Sequence, residues 1–585
     1  MQKCERPAGK SIRRALYASG GACNLALCLT CNLANAQTAS QITPPNFAPL
    51  PATAPPPIVI PEGGGTVAPA GSDALSVSLA DVTLDGVVDT VALTELKAAL
   101  VGRSIKVSEI FDAARVFEAR YARAGRVLVR IVVPAQKLAD GATLHLLLVD
   151  GSIETIDVDQ VPTIVRGRVA TTLRPLLGKS GVTQAAIERR LLLAGDMPGV
   201  TLRSTLAADG KPGATKLVIE AEQRAVVGFV ALDNTLPSAL GRLSLGAGIN
   251  LNSVLGAGET IYLRASGFPT IGKPASFFDS TPRNRALAAG MIIPVGTDGL
   301  TVNVEMTDAR TAPRHESTQP GSGSRFQRLS GRLLYLLVRT RALTVTAQAI
   351  FDAQNERVRI ITPVVLPLSL DRLRIARVAG DARLALPTNG VATAHVQASF
   401  GIDALGARGE NDATALLPLS RAGTHAGFHS LNIDATIEQP LGRHLVAGVA
   451  ARGQTSFGEV MANSEQIGIA ALDGISPLPS GTVQGDSGYV LRGELKAPFV
   501  AQFGIGSGQV APYGFGAYGQ ARFYQPTVVE HRTTGASAYG AGVRLTAIAA
   551  GGAPGLSASI EYGHAHAQGP AGSSNRVSFT FISQF

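Results

Sequence analysis

The stretch that decides the fold is residues 576–585, RVSFTFISQF. Val577, Phe579, Phe581, Ser583 and Phe585 occupy alternate positions, and alternate side chains of a β-strand lie on the same face. A soluble protein would normally cover such an apolar face, whereas a membrane barrel turns it to lipid and pairs its last strand with its first. The stretch therefore favours a transmembrane antiparallel β-barrel over a plain antiparallel edge strand.

The composition also favours strands as the source of the hydrophobicity. Mean hydropathy is +0.20, which is high for a soluble protein, and the 585 residues include 65 Gly and no Trp. A spanning helix needs about 18 or more consecutive apolar residues, and we find no clean run of that kind after the amino terminus. Apolar residues spread over many short alternating segments are what a membrane barrel requires.

Residues 1–36 have the three parts of a secretory signal peptide. Five basic residues come first, residues 15–33 are apolar, and Ala34-Asn35-Ala36 is an A-x-A cleavage site. We expect the mature chain to begin at Gln37. The alternative, a short anchor helix, is disfavoured because glycines and asparagines interrupt the apolar run.

Removal of this peptide would change both the cysteine content and the charge. All four cysteines lie within it, so the mature chain would have neither a disulfide nor a cysteine nucleophile. Five Lys/Arg and one Glu would leave with it, which lowers the net charge from +9 to +5. A charge this small for the length does not indicate a nucleic-acid-binding protein.

Two small α/β modules are predicted between a linker and the barrel. Residues 37–72 contain nine prolines and predict an extended, mobile linker without a stable helix. Residues 73–150 predict helices at 94–101 and 107–124 and strands at 127–133 and 143–149. Residues 151–222 repeat the plan, with helices at 164–177 and 184–194 and strands at 152–159, 200–206 and 216–222.

Residues 223–585 predict the barrel. Glycine becomes frequent, helical periodicity fades, and short alternating runs recur, for example at 260–266 and 343–350. Two segments, 307–328 and 462–488, are polar and predict long loops. Long loops at one end and short turns at the other are typical of outer-membrane barrels. With strands of about ten residues, fourteen, sixteen or eighteen strands would fit.

Several short motifs occur in an order and spacing that resemble one protein family. They are Val133-Pro134-Ala135-Gln136 with Gly141, Val149-Asp150-Gly151-Ser152-Ile153, Ile187-Glu188-Arg189-Arg190-Leu191-Leu192-Leu193, Pro198-Gly199-Val200 with Leu206, Asp233-Asn234 with Gly241, and Asn252 with Gly256-Ala257-Gly258-Glu259. The chain resembles the outer-membrane transporters of two-partner secretion (the ShlB/FhaC/HecB type, within the Omp85 superfamily) over nearly all of its mature length.

The resemblance implies a fold, a location and a set of partners. It implies two periplasmic POTRA modules followed by a sixteen-stranded barrel in the outer membrane of a Gram-negative cell. Such a transporter, expected as a monomer, exports one large unfolded, β-helix-forming (TpsA-type) partner protein without ATP or a cofactor. The family further suggests that the barrel-assembly machinery recognises the terminal aromatic strand with Phe579, Phe581 and Phe585.

The resemblance is incomplete at the pore loop. The family has an Arg-Gly pair at the tip of a long loop folded into the pore, before a Gly-Asp-x-Gly and a Glu-Leu sequence. The latter two are present as Gly485-Asp486-Ser487-Gly488 and Glu494-Leu495. Counting back places Ser476-Pro477 at the Arg-Gly positions. Arg492-Gly493 is an alternative, although it follows the Gly-Asp sequence and belongs to the next strand.

The wall partner of that loop is also altered. The family arginine pairs with an aspartate in a Phe-x-Asp-x-Gly strand, which matches Phe515-Gly516-Ala517-Tyr518-Gly519 with Ala517 at the Asp position. Because an unpaired charge in a tight lumen is costly, joint loss of both partners is easier than loss of one. We therefore expect packing and backbone bonds, instead of the family's ion pair, to hold the loop. The family's amino-terminal plug helix is not expected, because of the prolines between 44 and 61.

No constellation of residues predicts an enzyme, a metal site or a cofactor site. His564 and His566 share one strand face and are interpreted as a wall or lumen pair. Two other functions stay open at this stage. A barrel-assembly factor of the same superfamily would usually carry more POTRA modules and the arginine loop motif, and a passive porin with unrelated periplasmic domains would have no client protein.

Overall fold

The computed structural model describes residues 37–49, 68–86, 90–211, 213–271, 275–315, 319–503, 506–528, 530–549 and 553–585. The predicted signal peptide, with its cleavage site at Ala34 and Ala36, lies outside the described residues, as does the linker from 50 to 67. Within the described ranges, no helix has both the length and the apolar character needed to cross a membrane.

The first module packs two helices on a small sheet. Its helices are α1 (Thr90–Leu100) and α2 (Val107–Arg123), and its strands are β1 (Ser76–Ser78), β2 (Asp81–Asp85), β3 (Ser104–Lys106), β4 (Val129–Val132) and β5 (Thr143–Asp150). The sheet order is β2-β5-β4, and β1 pairs with β3. Helix α2 begins where predicted, because Ile110, Phe111, Ala114 and Phe117 repeat at helical spacing and are buried in the core of this module.

The second module repeats this architecture. It contains α3 (Thr163–Leu173), α4 (Gln184–Gly195), β6 (Ser152–Gln160), β7 (Val200–Ala208) and β8 (Ala214–Gln223), with the sheet order β6-β8-β7. Ile187, Leu191 and Ala194 of α4 are buried against this sheet. The predicted divisions at 150/151 and 222/223 fall where the chain passes from β5 to β6 and from β8 to the barrel.

Two of the motif glycines lie where backbones approach closely. A Cβ on Gly151 would collide with the carbonyl oxygens of Leu128 and Gly213, so the junction between the modules excludes a side chain there. Gly199 has φ +74°, and a Cβ on it would collide with the carbonyl of Arg224 at the start of the barrel. These two positions therefore fix how each module joins the next part of the chain.

The rest of the chain is a closed antiparallel barrel of sixteen strands. The strands are β9 (Val226–Asp233), β10 (Ser244–Asn252), β11 (Thr260–Gly267), β12 (Asn284–Val295), β13 (Leu300–Thr311), β14 (Gly321–Arg339), β15 (Leu343–Thr362), β16 (Leu366–Ala385), β17 (Val391–Gly401), β18 (His429–Pro440), β19 (Val446–Thr455), β22 (Ser487–Lys496) with its continuation β23 (Phe499–Phe503), β24 (Gly506–Arg522), β25 (Thr533–Ala549), β26 (Ala553–Ala567) and β27 (Ser573–Gln584). Strand β27 pairs with β9 and closes the sheet.

The two faces of the barrel wall differ in polarity. Outward side chains are apolar and exposed, as at Val304, Met306, Leu329 and Leu333. Inward side chains at the alternate positions of the same strands are polar and buried, as at Glu305. This pattern of apolar-out and polar-in is that of a membrane-spanning barrel, so the predicted fold class is confirmed.

The second module docks on one side of the barrel mouth, which we call the module end; the opposite end is the loop end. Arg168 donates to the carbonyl of Gly296 and Arg190 to that of Thr297, both in the turn after β12. Arg339, at the end of β14, forms a two-pronged ion pair with Asp196 at 2.6 and 2.7 Å. The module is thus attached to the barrel by side chains as well as by the chain itself.

The structure contradicts two predictions, one about residues 307–328 and one about residues 37–49. Residues 307–328 were expected to form a long loop, but most of them belong to β13, which ends at Thr311, and β14, which begins at Gly321. Residues 37–49 were expected to be a mobile linker, but they lie inside the barrel, where the buried Ala39 packs on Ala286, Ala309 and Phe326. The only helical piece in 37–49 is the 3-10 turn Ser40–Ile42.

Candidate functional site: the pore loop and the barrel wall

The connection between β19 and β22, residues 456–486, folds into the lumen; we call it the pore loop. It contains the short strands β20 (Ile467–Gly468) and β21 (Gln484–Gly485), which pair with each other. Ile475 and Leu478 are 0% and 2% exposed and pack against apolar side chains of β24, β25 and β26. The tip of the loop is therefore fixed by hydrophobic contact with the wall.

Arg492 of β22 lies beneath the loop tip. Its side chain is 2% exposed, and its guanidinium stacks on the ring of Phe515 with 3.8 Å between Cζ and the ring centroid. Nη1 donates to Ser476 Oγ at 2.8 Å and, at 3.4 Å, to the carbonyl oxygen of Gly474. A cation of the wall thus binds both side-chain and backbone groups of the loop.

The counter-ion of Arg492 comes from β26. Glu561 Oε2 accepts from Arg492 Nη2, and the hydroxyl of Tyr513 donates to the same oxygen at 2.9 Å. Ser476 Oγ donates to the other carboxylate oxygen, Glu561 Oε1. Ser476 therefore bridges a buried ion pair whose two charged partners both belong to the wall.

A second carboxylate extends this cluster towards the module end. Glu494 accepts from Arg492 Nε at 2.8 Å and from both terminal nitrogens of Arg544 at 2.7 Å. Lys496 lies 3.6 Å from Glu494 and also pairs with Glu438. Three cations face three carboxylates here, so the charges balance, as burial requires.

Backbone groups of the loop tip receive further hydrogen bonds. Ser578 Oγ of β27 donates to the carbonyl oxygen of Ser476 at 3.3 Å, and Ser574 Oγ donates to that of Pro477 at 3.2 Å. The expected packing and backbone bonds are thus present at the tip.

Ion pairs with the wall, other than the pair known from the family motif, also hold the rest of the loop. Glu465 receives two hydrogen bonds from Arg377 of β16, at 2.8 and 2.9 Å, and Arg377 also binds Asp352 of β15. Asp473 pairs with Arg452 of β19 at 2.5 Å. The wall therefore holds the loop by charge at two places on either side of β20.

The Gly-Asp-x-Gly sequence closes the loop at its end. Asp486 is fully buried; it accepts from the backbone N–H of Met461 at 3.0 Å and of Tyr524 at 2.7 Å, and it lies 3.4 Å from Arg421. A Cβ on Gly485 or Gly488 would press against the backbone of β24. The aspartate thus ties both ends of the pore loop to a neighbouring loop, and the glycines let β22 approach β24.

The two altered motif positions do not pair with each other. Ser476 bonds to Arg492 and Glu561, whereas Ala517 of β24 lies opposite Arg492 in the strand register. The guanidinium therefore comes from the strand position that sequence reasoning kept as the alternative, Arg492, beside the vacant Asp position. Gly493 takes no part in these bonds, and Gly519 packs closely on the backbone of β22.

Sequence reasoning missed Glu561, Arg544 and Tyr513. Each occupies an inward position in a strand whose outward neighbours are apolar, as Ile560 and Tyr562 are beside Glu561. That alternation was a usable signal. The pairing of Arg492 with a residue 69 positions away was not, because it depends on the register of four strands.

The remaining predicted residues lie on the outside of the barrel. Phe581 and Phe585 are exposed, and Phe579 is half-buried on the same face of β27. His564 and His566 of β26 bond to Asn575 and Ser573 of β27. Among the residues that the structure describes, no group of three His, Cys, Asp or Glu side chains is placed to hold a metal ion.

Comparison with known proteins identifies this architecture. The sequence pattern of the haemolysin secretion/activation proteins ShlB/FhaC/HecB matches residues 213–545, more than half of the chain. The chain belongs to this family. The ShlB/FhaC/HecB match means that the barrel is an outer-membrane transporter of two-partner secretion, with the two POTRA modules in the periplasm.

Individual relatives of this family member are distant in sequence. The heme/hemopexin transporter protein HuxB of Haemophilus influenzae (strain 86-028NP) is 21% identical over 424 residues, which are 72% of this chain and 71% of HuxB. The structure of CdiB from Escherichia coli superposes with a TM-score of 0.63 at 16% identity, covering 90% of this chain and 94% of CdiB. CdiB from Acinetobacter baumannii gives a TM-score of 0.56 at 13% identity, covering 99% and 100%. These structures share the fold.

Proposed function

We propose that this transporter exports one partner protein as an extended chain, which first adds a strand to the exposed edge of β7 in the second POTRA module. The observation that carries the proposal is the position of β7. It is the edge strand of its sheet and pairs with β8, and it directly follows Gly199, which lies against Arg224 and Asn252 at the barrel mouth. Strand addition at an edge binds a client mainly through its backbone.

The register of β7 against β8 determines which backbone N–H groups of β7 are free to bind a client. The N–H of Arg224 donates to the carbonyl of Gly199 at 2.7 Å, one step before the register Val200↔Gln223. Because antiparallel ladders alternate, the N–H groups of Thr201, Arg203 and Thr205 point to β8. Those of Leu202, Ser204 and Leu206 point to the free edge, where an arriving strand would accept from them.

Recognition through the backbone does not require a particular client sequence, so successive segments of one long client could bind in the same way. We infer that the partner is the β-helical protein that the family implies, that it passes without ATP, and that its folding outside the cell prevents its return. We further propose that the transporter works as a monomer and that the barrel-assembly machinery inserts it by recognising the terminal aromatic strand.

Replacement of Ser204 tests this proposal. Ser204→Pro removes an N–H that faces the free edge and leaves the bonds to β8 in place, because proline is tolerated where a strand N–H is unpaired. Ser204→Ala is the matched control, since it removes the same hydroxyl and keeps the N–H. We expect secretion of the protein encoded beside the transporter to fall with Ser204→Pro and to persist with Ser204→Ala.

The same experiment has an outcome that would overturn the proposal. Equal secretion by both variants, in amounts matched for inserted barrel, would exclude strand addition at β7.

A further inference from the structure

Residues 37–49, which we call the lumenal segment, run along the inside of the barrel wall. The carbonyl oxygen of Gln37 accepts from Thr311 Oγ1 at 3.3 Å, at the loop end of β13. Further along, the carbonyl of Pro45 accepts from Arg332, which lies eight positions after Ser324 in β14, towards the module end. The segment therefore passes down the pore beside β14, with the 3-10 turn Ser40–Ile42 near its start.

The wall binds the backbone of this segment at six points. Ser324 accepts from the N–H of Ala39, Glu356 from that of Ser40 and Glu305 from that of Phe47, at 3.1, 3.0 and 2.9 Å. On the carbonyl side, the donors are Thr311 to Gln37, Arg328 to Pro44 and Arg332 to Pro45, at 3.3, 3.1 and 2.7 Å. The wall thus binds three N–H groups and three carbonyl groups of the segment, the two kinds of polar group that any polypeptide main chain carries.

Two of these wall groups depend on the segment for their partners. Glu356 is 3% exposed and has no Lys or Arg within ion-pair distance among the described residues; its bonds come from Ser40 N, Ser40 Oγ and Ser324 Oγ. Arg332 is 8% exposed, and its Nη2 donates to the carbonyl oxygen of Pro45 in the segment. Its Nη1 has no hydrogen-bond partner in the part of the chain that the structure describes. A buried polar group left without a partner is costly.

Loss of the lumenal segment would leave buried polar groups of the wall without partners, which favours the binding of another polypeptide in its place. If the lumenal segment left, Glu356 would lose two of its three donors and Arg332 its carbonyl acceptor. The main chain of another polypeptide could supply an N–H to Glu356 and a carbonyl oxygen to Arg332, because every residue other than proline carries one N–H and one C=O. The side-chain chemistry of that polypeptide would matter less, since the wall contacts are mainly to backbone atoms.

We propose that Glu305, Ser324, Arg328, Arg332 and Glu356 form a binding track for the main chain of extended polypeptides, which the lumenal segment occupies at rest. This inference rests on the proposed export function in one respect: the polypeptide that replaces the segment is the partner protein in transit. The track itself requires no particular partner, so it can be tested with a synthetic peptide.

The first test measures peptide block of the purified full-length transporter in planar lipid bilayers. Deletion of residues 39–47 is expected to raise the conductance. A synthetic peptide of residues 37–49, added at the module end of this deletion variant, is expected to lower it again. A peptide of the same composition in scrambled order should block within threefold of the original concentration. A peptide N-methylated at three backbone amides, those matching Ala39, Ser40 and Phe47, should block at least tenfold more weakly.

Wall variants of the deletion protein locate the track. Arg332→Ala and Glu356→Gln are each expected to weaken block by the original peptide about tenfold. Gln348→Ala is the matched control, because Gln348 also lies on β15 but bonds to Asp381 instead of the segment. Heat-shift electrophoresis confirms that each variant is folded. If block requires the original residue order, or if Arg332→Ala and Glu356→Gln behave like Gln348→Ala, the proposed track does not exist.

A second test addresses the partner. A photoreactive residue in place of Phe326, which packs on the lumenal segment, should crosslink to the partner protein during secretion. Crosslinking to the segment alone while the partner is being secreted would overturn the assignment of the track to transit. Absence of any secretion by the unmodified transporter would instead contradict the export function, and the peptide experiment would then still decide whether the track exists.

Discussion

Arg492 determines how the pore loop is held at the scale of single residues. The family uses a loop arginine and a wall aspartate, whereas here the arginine is on β22 and its carboxylate partner is Glu561 on β26. The loop contributes the neutral Ser476 between them. Because Ser476 is neutral, the Arg492–Glu561 pair stays intact if this residue leaves the wall, whereas the wall pairs of Glu465 and Asp473 would break.

Arg492→Ala is expected to destabilise the barrel strongly. It leaves the buried Glu561 without a cation, and breaking a buried pair in this way costs about 3–5 kcal/mol. Arg492→Ala combined with Glu561→Gln should be less destabilising than the sum of the two single changes, because the uncompensated charge is removed. The unfolding midpoint in urea, followed by heat-shift electrophoresis, measures this coupling; additive effects would show that the two residues do not interact.

Exchanging positions 476 and 492 tests whether the guanidinium must be carried by the wall strand instead of the pore loop. Ser476→Arg places a second guanidinium beside Arg492 and should impair folding or secretion through repulsion. Ser476→Arg with Arg492→Ser transfers the cation from wall to loop and leaves Glu561 in place, so it should recover part of the loss. Ser476→Arg with Ala517→Asp, the pairing that the motif alone suggests, should recover less, since Ser476 bonds to Glu561. Greater rescue by Ala517→Asp would favour the motif-based pairing over the observed one.

Part of this contact was predictable from sequence and part was not. The motif spacing drew attention to Ser476, Arg492, Glu494 and Phe515, all of which lie in or beside the contact. It could not reveal that Ser476 faces Glu561, because a residue's partner across a barrel depends on strand register and on the path of the loop. The lumenal segment was missed for a similar reason: prolines exclude a helix, but an extended chain can bind the wall through its backbone.

At the scale of elements, the strand segments that face lipid were predicted well, and the strand segments that extend past the lipid at the loop end were predicted poorly. Val304 and Met306 of β13 alternate with polar inward residues, but the next outward residues are Asp308 and Arg310. Asp308 pairs with Arg310 and with Arg325 of β14. Above the lipid the outward residues are polar, so the alternation of apolar outward and polar inward residues disappears while the backbone ladder continues. That is why 307–328 resembled a loop.

The seam between β27 and β9 is short, so a few groups carry its closure. The ladder joins Thr580–Gln584 to β9, and Phe585 exchanges two backbone bonds with Gly228 at 2.8 and 2.9 Å. Beyond the ladder, the Asn234 side chain donates to the carbonyl of Val577 and accepts from the N–H of Phe579, at 2.8 and 2.9 Å. Asn234 thus extends the pairing with its amide group.

Asn234→Ala is expected to loosen the loop-end half of β27. It removes two hydrogen bonds, each worth about 1 kcal/mol, and should speed amide exchange at Phe579 without affecting Ile582. Deletion of Phe585 should act at the other end of the seam and lower the amount of inserted barrel, as expected for an assembly signal. Thr235→Ala is the control for the first change. Unaltered exchange in Asn234→Ala would show that the side chain does not close the seam.

In the first POTRA module, Glu118 links stability to pH. Burial raises the pKa of the Glu118 carboxyl above its usual value, although the N–H of Ile131 donates to it at 2.7 Å. The folded module therefore binds this proton more tightly than the unfolded chain does. The resulting stability is present below the unfolded pKa of about 4.3 and is lost as the pH rises through the higher folded pKa.

Glu118→Gln should remove this contribution. Its amide oxygen can still accept from Ile131, and it has no proton to lose, so the variant should gain stability relative to the original as the pH rises from 4 to 7. Denaturant unfolding of residues 68–223 at several pH values measures the difference between the two proteins. Asp81 and Glu109, whose pKa values are lowered by Lys97 and by the N–H of Lys106, are present in both and cancel. A constant difference across this pH range would contradict the assignment.

On the scale of the whole molecule, two segments contact the inside of the barrel wall and the second module contacts the barrel mouth. The pore loop packs on β22 to β27, the lumenal segment binds β13 to β15, and the second module docks beneath the turns after β10, β12 and β14. The segment and the docked module therefore lie on the same side of the barrel. A client that leaves β7 at the mouth would meet the main-chain track on that side first.

The docking of the second module should therefore matter for secretion and not for the barrel fold. Asp196→Arg sets two arginines against each other at the end of β14 and is expected to lower secretion while heat-shift electrophoresis stays normal. Asp196→Arg with Arg339→Asp restores an ion pair in the opposite direction and should recover part of the activity, with a coupling of about 0.5–3 kcal/mol for residues in contact. Since Asp196 is partly exposed, high salt should weaken the original pair and reduce the difference between the variants. Faster amide exchange in α4 of Asp196→Arg, reversed in the double variant, would locate the effect at the interface; normal secretion by Asp196→Arg despite faster exchange would show that the client reaches the pore without a docked module.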